Sequence, residues 1–299
     1  MGMNLNALLH LQARGLLRPG AARLLDVGPQ NIYFVTEAQI RAFVRHQGQK
    51  VGDARLEAEI ARLVRHSTPR KGEHFTFLSE ICDLTPIAYA SIDVAPALKT
   101  TALDLNFDRL PERMRGVFDL VLNFGTTEHV FNQWNSFAQI HEAAKPGGVI
   151  YCQLPASGYL DHGYFCYTPV FFRDLAKANG YEIADQFFTL AGRNDFEAMA
   201  ADVRRDDDYG TPNSDPDGRL TVPCFNINAV MVKGARQPFR ALLEVATAAN
   251  NVKPSIALRY GGVSLSAQAR NAAEYYARRW LGPLLRARRA VLGPRRIAR

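Results

Sequence analysis

Arg23-Leu24-Leu25-Asp26-Val27 runs directly into Gly28-Pro29. Five mostly apolar residues closed by a turn signal are too short for a helix and read as a strand buried on both faces. Working outward, six more short apolar runs follow: Tyr89–Asp93, Thr101–Leu105, Phe118–Asn123, Val149–Leu154, Glu182–Leu190 and Phe225–Val232. Helical stretches separate them. Leu5, Leu8, Leu9 and Leu16 precede the first strand, and a mainly helical insertion follows it from about Thr36 to Leu84, with Leu56, Ile60 and Leu63 at helical spacing. His66 to Gly72 reads as a loop. Trp134–Ala144 and Pro169–Asn179 are two more helices, the latter stopped by Gly180, and Pro146-Gly147-Gly148 turns the chain into the fifth strand. Strands alternating with helices predict a parallel α/β sheet covered on both faces. The last two strands, joined by a polar excursion with a mobile loop, read as an antiparallel pair at the sheet's edge.

Composition agrees. The chain has 299 residues, 47% hydrophobic and 22% charged, which excludes a disordered or collagen-like chain. No apolar run approaches 18 residues, so no spanning helix is expected. Met1 to Leu17 lacks the charged and apolar regions of a signal peptide, which points to the cytoplasm. Cys82, Cys152, Cys166 and Cys224 are too far apart for a Cys-x-x-Cys metal motif and read as reduced thiols. The net charge of +7 is local: from Arg270 onward nine arginines face only Glu274, leaving +8 there and −1 over everything before. Domain organisation therefore reads as 1–235, with the insertion at 36–84, followed by a basic helical extension at 236–299.

Ligands of open parallel sheets bind beyond the carboxyl ends of the strands. There the sequence puts Asp26 and Gly28, then Asp93, then Asp104, then Asn123 to Glu128. A carboxylate at a strand end can accept ribose hydroxyl hydrogen bonds, so three of them beside one glycine turn suit a nucleoside. Gly28-Pro29-Gln30-Asn31 lacks the later glycines of a dinucleotide fingerprint, and no P-loop is present. Asp119 reads as a turn or sheet-edge residue.

Taken in order, Leu25-Asp26-Val27-Gly28, Ile92-Asp93, Leu103-Asp104-Leu105, Phe118-Asp119-Leu120-Val121, Thr127-Glu128-His129-Val130 and Lys145-Pro146-Gly147-Gly148 resemble the class I S-adenosylmethionine-dependent methyltransferases. The resemblance spans roughly Leu24 to Lys233. It implies a Rossmann-like, mostly parallel seven-stranded sheet and S-adenosyl-L-methionine as cofactor. It also implies roles: Gly28 at the methionine part, Asp93 on the ribose, Asp104 and Leu105 at the adenine, and Asn123, Phe124, Gly125 and Thr126 along the sulfonium side; Asp26 reads equally as a cofactor contact or a buried hydrogen-bonding residue. The insertion of about 60 residues after the first strand reads as a helical lid or substrate cap.

Methyl transfer is an in-line displacement that needs a base only for a poor nucleophile. Pro155 to Tyr167 holds the candidates: His162 as base with Asp161 to orient it, and Tyr159, Tyr164 and Tyr167 to bind a polar acceptor. His129 is a further lining residue, set after Glu128 at an expected helix start. No cluster shows convincing metal-ligand spacing in sequence, so no metal is expected. Asn123-Phe124-Gly125-Thr126 differs from the Asn/Asp-Pro-Pro-aromatic pattern of exocyclic-nitrogen methylation. The expectation is O-methylation of a small hydroxylated or glycan acceptor. A non-catalytic scaffold is one alternative, and a tail-guided RNA methyltransferase another. The arginine-rich end from Pro283 to Arg299, with apolar Leu284, Leu285, Val291 and Leu292, suits an anionic membrane surface better than nucleic acid.

Overall fold

The computed structural model describes residues 2–20, 22–68, 74–190, 212–214, 221–235 and 238–243. Most of the polar excursion after Leu190, the turn residues 69–72 and nearly all of the basic extension lie outside the described residues, and so do the expectations placed on them. Two units are separable, Met1–Phe239 and Arg240–Arg299.

The first unit is built on seven strands. β2 (Arg23–Val27), β4 (Ala88–Asp93), β5 (Thr100–Ala102), β6 (Phe118–Phe124), β7 (Ala144–Ser157), β8 (Tyr181–Leu190) and β11 (Phe225–Lys233) form one sheet in the order β5-β4-β2-β6-β7-β11-β8. β5, β4, β2, β6 and β7 pair in parallel, and β11 runs antiparallel to both β7 and β8. The edge pair expected from sequence is therefore present, with β11 inserted between β7 and β8. Strand order reverses at β2 and β6, the switch point where open α/β sheets leave a crevice for ligands. Two minor pairs complete the list: β1 (Gly2–Met3) lies parallel to β3 (Asn31–Ile32), and β9 (Pro212–Ser214) antiparallel to β10 (Thr221–Pro223).

The helices begin where their caps dictate. α1 spans Asn6–Ala13. α2 (Glu37–His46) starts at a reciprocal capping box between Thr36 and Gln39. α3 (Ala54–His66) starts at Asp53, whose carboxylate accepts from the Arg55 and Leu56 N–H groups. α4 (Leu78–Cys82) is a single short helix. α5 (Gln133–Ala143) is capped by Asn132, and α6 (Pro169–Asn179) by Thr168, ending on left-handed Gly180.

Strand alternation assigns the two faces. Leu24, Leu120, Leu122, Phe124 and Tyr151 join one buried cluster with Leu8 and Leu11 of α1, Ile40 and Phe43 of α2, Ile60 and Leu63 of α3, and Ile81 of α4. Leu25, Val121, Ile150 and Leu154 are buried outside that cluster and so face the other way, where α5 and α6 contact the sheet. The insertion thus forms the helical layer on one sheet face and shares its core. A correction concerns β5, which ends at Ala102 rather than reaching Leu105. Asp104 Oδ1 accepts the Asn106 N–H at 2.8 Å, and that local bond diverts the backbone from the ladder. Pro146-Gly147-Gly148 likewise lies inside β7, at a register shift, rather than ahead of it. None of the four cysteines is in a disulfide, and only Cys166 is exposed. No described helix is long and apolar enough to cross a membrane.

Candidate functional site

Gly28 ends β2 with φ +83°, a conformation that disfavours any side chain, and its N–H donates to Ile92 O at 2.9 Å. That bond seats the turn beside the end of β4. There Asp93 is partly exposed, with Oδ1 accepting the Ala95 N–H at 2.8 Å and Oδ2 without a hydrogen-bond partner among the described residues. Asp104 follows in the next turn, also partly exposed, while Leu105 is buried. Gly28, Asp93 and Asp104 therefore line the carboxyl edge of three adjacent strands. Across the switch point, the Thr126 hydroxyl donates to Val27 O and ties the end of β6 to the end of β2.

Three expected cofactor residues stand elsewhere. Asp26 is fully buried: Oδ2 accepts the Gln30 N–H (3.0 Å) and the Tyr89 hydroxyl (2.9 Å), and burial pushes its pKa up to about 7. Asn123 turns inward, donating from Nδ2 to Thr127 Oγ1 at 2.9 Å. Phe124 packs edge-on against Tyr151 in the core, ring centres 4.7 Å apart. These side chains support the edge instead of lining it, so only Gly125 and Thr126 of that run are partly exposed. Gln30, passed over in the sequence, is fully buried and donates from Nε2 to both Gly28 O and Phe124 O, at 2.7 and 2.8 Å. It fixes the glycine turn to β6.

Beyond β6 the chain makes one 3₁₀ turn, Thr127–His129, and α5 starts only at Gln133. Glu128 is therefore not the helix-start residue the sequence suggested. Its side chain is fully buried, and neither carboxylate oxygen has a hydrogen-bond partner among the described residues. Burial pushes its pKa up to about 7. Two imidazoles stand over it: His129 Nε2 lies 3.9 Å and His162 Nε2 3.7 Å from Glu128 Oε1. The rings meet edge-on with centres 4.8 Å apart, and burial, followed by the neighbouring His162, lowers the His129 pKa.

The loop bearing His162 is held onto Glu128. The Tyr164 N–H donates to Glu128 O at 2.8 Å, and a Cβ on Gly163 would come within 2.9 Å of Glu128 Cγ. Only glycine allows that approach. The carboxylate beside His162 is thus Glu128; Asp161 is exposed and makes no bond to the imidazole. This corrects the expected Asp161–His162 pair. Tyr159 packs its ring 5.3 Å from His162 and donates to Asn226 Oδ1 at 2.7 Å. Tyr164 is exposed, whereas Tyr167 is buried, donating to Gln133 Oε1 at 2.7 Å. Tyr167 also borders an apolar cleft of about 280 Å³ with Pro169, Phe188 and Phe225. A larger cleft of about 520 Å³ opens at the opposite end of the sheet and holds none of these residues. There Asp119 accepts the Arg23 N–H and pairs with Lys145, the sheet-edge role expected of it.

No protein-family model matches the chain, and no curated protein matches it either. Solved structures resemble it in overall fold. Burkholderia thailandensis 1,6-didemethyltoxoflavin-N1-methyltransferase is 13% identical over 77% of each chain, with a TM-score of 0.37. The [4+2]-cyclase SpnF is 14% identical over 77% of this chain and 81% of its own, at 0.42. Haemonchus contortus phosphoethanolamine N-methyltransferase 2 is 13% identical over 77% of this chain and 52% of its own, at 0.39.

Proposed function

We propose that this protein is an S-adenosylmethionine-dependent methyltransferase acting on a hydroxylated acceptor, a small molecule or a sugar. The observation that supports this most is the free Asp93 Oδ2 at the carboxyl end of β4, one strand from the positive-φ turn at Gly28 and beside the switch point. A partly exposed carboxylate oxygen that lacks a protein donor, next to a turn without a side chain, fits a ribose and the backbone of an amino acid. The cofactor supplies an electrophilic methyl group on a sulfonium centre.

The chain's own groups would then divide the work. Asp93 accepts the ribose hydroxyls, Asp104 and Leu105 flank the adenine, and Gly125 and Thr126 border the reacting side. The acceptor hydroxyl sits against Glu128, His129 and His162, in the turn beyond β6 and the loop over it, with Tyr159 and exposed Tyr164 beside it. A hydroxyl is a poor nucleophile, so its proton has to be lost during transfer, and His162, half-exposed and 3.7 Å from the buried carboxylate, is the imidazole we assign to take it. Tyr167 and Asp26 act as supports.

Incubation with methyl-labelled cofactor and a panel of hydroxylated acceptors tests this reading. Label should appear on oxygen, and His162→Ala should lower kcat by about 100-fold or more. Label found only on amines, thiols or RNA, or none at all, would contradict it.

A further inference from the structure

Glu128 poses a problem that the fold does not solve. A carboxylate with no exposed surface and no hydrogen-bond partner among the described residues costs several kcal/mol, and native proteins rarely leave such a group unpaired. The partner must be attracted by two imidazole nitrogens as well, because His129 and His162 both aim Nε2 at the same oxygen. One atom of each of the three side chains lies within 4.8 Å of the others. Two neutral imidazoles and one carboxylate are the donor set of open zinc and non-haem iron centres.

We infer that Glu128, His129 and His162 bind one divalent first-row cation and leave it an open coordination position. Geometry is close to what this requires. Ligand atoms at zinc bond lengths sit about 3.3 Å apart on a tetrahedron, and Glu128 Oε1 is already 3.7 and 3.9 Å from the two nitrogens. Binding would require the two imidazoles to rotate so that their nitrogens, which lie within 4.8 Å of each other, also converge on the ion. Entry is available, since the His129 and His162 side chains are 41% and 42% exposed while the carboxylate forms the floor. The Gly163 contact and the Tyr164 bond to Glu128 O hold the third ligand in place before any ion arrives. Three protein ligands do not complete a structural site, so the remaining position is for a small molecule or water. The cation site stands on the trio alone; its use rests on the proposed methyl transfer. There, with His162 occupied as a ligand and no longer the proton acceptor, an acceptor hydroxyl bound at the open position would become more acidic and release its proton to water, leaving its oxygen free to take the methyl group.

The test is titration of the chelator-stripped full chain with Co²⁺ and Zn²⁺, followed by visible absorption and calorimetry. The expected result is one ion per chain, with Zn²⁺ displacing Co²⁺. Glu128→Gln and His162→Ala should each weaken binding at least tenfold while far-ultraviolet circular dichroism is unchanged. Should Glu128→Gln fail to fold, His162→Ala, on an exposed loop, decides. Absence of one-to-one binding, or binding that the substitutions leave unmoved, would overturn the inference. Cobalt bound normally by a chain that binds no S-adenosylhomocysteine would overturn the proposed reaction and not the cation site.

Discussion

Asp26 and Glu128 are two buried carboxyl groups whose pKa values both rise to about 7, for different ends. Asp26 holds the turn after β2 through Gln30 and Tyr89, and its protonation is linked to stability. Its folded pKa lies above the unfolded value of 3.8, so between these values the folded state binds the extra proton. Stability from this group is greatest at the acid end and is lost as pH rises towards 7, by up to about 1.4 kcal/mol per pH unit. Urea denaturation of wild type and Asp26→Asn at pH 5, 6, 7 and 8 measures it. The variant should gain relative to wild type as pH rises from 5 to 7 and hold a constant difference above that. A difference independent of pH would contradict an acid of raised pKa. Asp26 and Asp93 look alike in sequence, since each ends a strand; the pattern does not say which one the Tyr89 hydroxyl covers.

At the scale of elements, the decisive piece is the loop that carries His162 back over the 3₁₀ turn of Glu128. Gly163→Ala places a methyl group within 2.9 Å of Glu128 Cγ and 3.0 Å of its carbonyl oxygen, an overpacking that costs about 1–3 kcal/mol. The Tyr164 N–H, bonded to that carbonyl, should exchange with solvent at least tenfold faster in the variant, with β6 unchanged. Unchanged exchange at Tyr164 would mean that the loop is held by something else. The strands and longer helices were legible in sequence because short apolar runs and caps are local signals. Three features were not. β5 stopped early at the Asp104 turn, Asn123 and Phe124 rotated into the core, and Glu128 met a histidine from a distant loop. The first and the turning of Asn123 follow from short side-chain bonds, to Asn106 and Thr127, that apolar periodicity does not register, whereas Phe124 and Glu128 depend on partners remote in sequence, with Gly163 the one local hint of a close approach.

Over the whole molecule, the switch point between β2 and β6 organises everything argued above. It gathers Gly28, Asp93 and Asp104 on one side and Thr126 with the Glu128–His129–His162 trio on the other, while the larger cleft at the far end of the sheet is spanned by Asp119 and Lys145. The concentration of positive charge from Arg270 onward leaves the residues before it nearly neutral. The central claim is that the Asp93 edge binds the cofactor, and calorimetric titration of the full chain with S-adenosylhomocysteine tests it most directly. One molecule should bind per chain, and Asp93→Ala should weaken binding by roughly 10- to 100-fold, the loss of a hydrogen bond to a charged group. No binding by the wild type, or equal binding by the variant, would contradict the account.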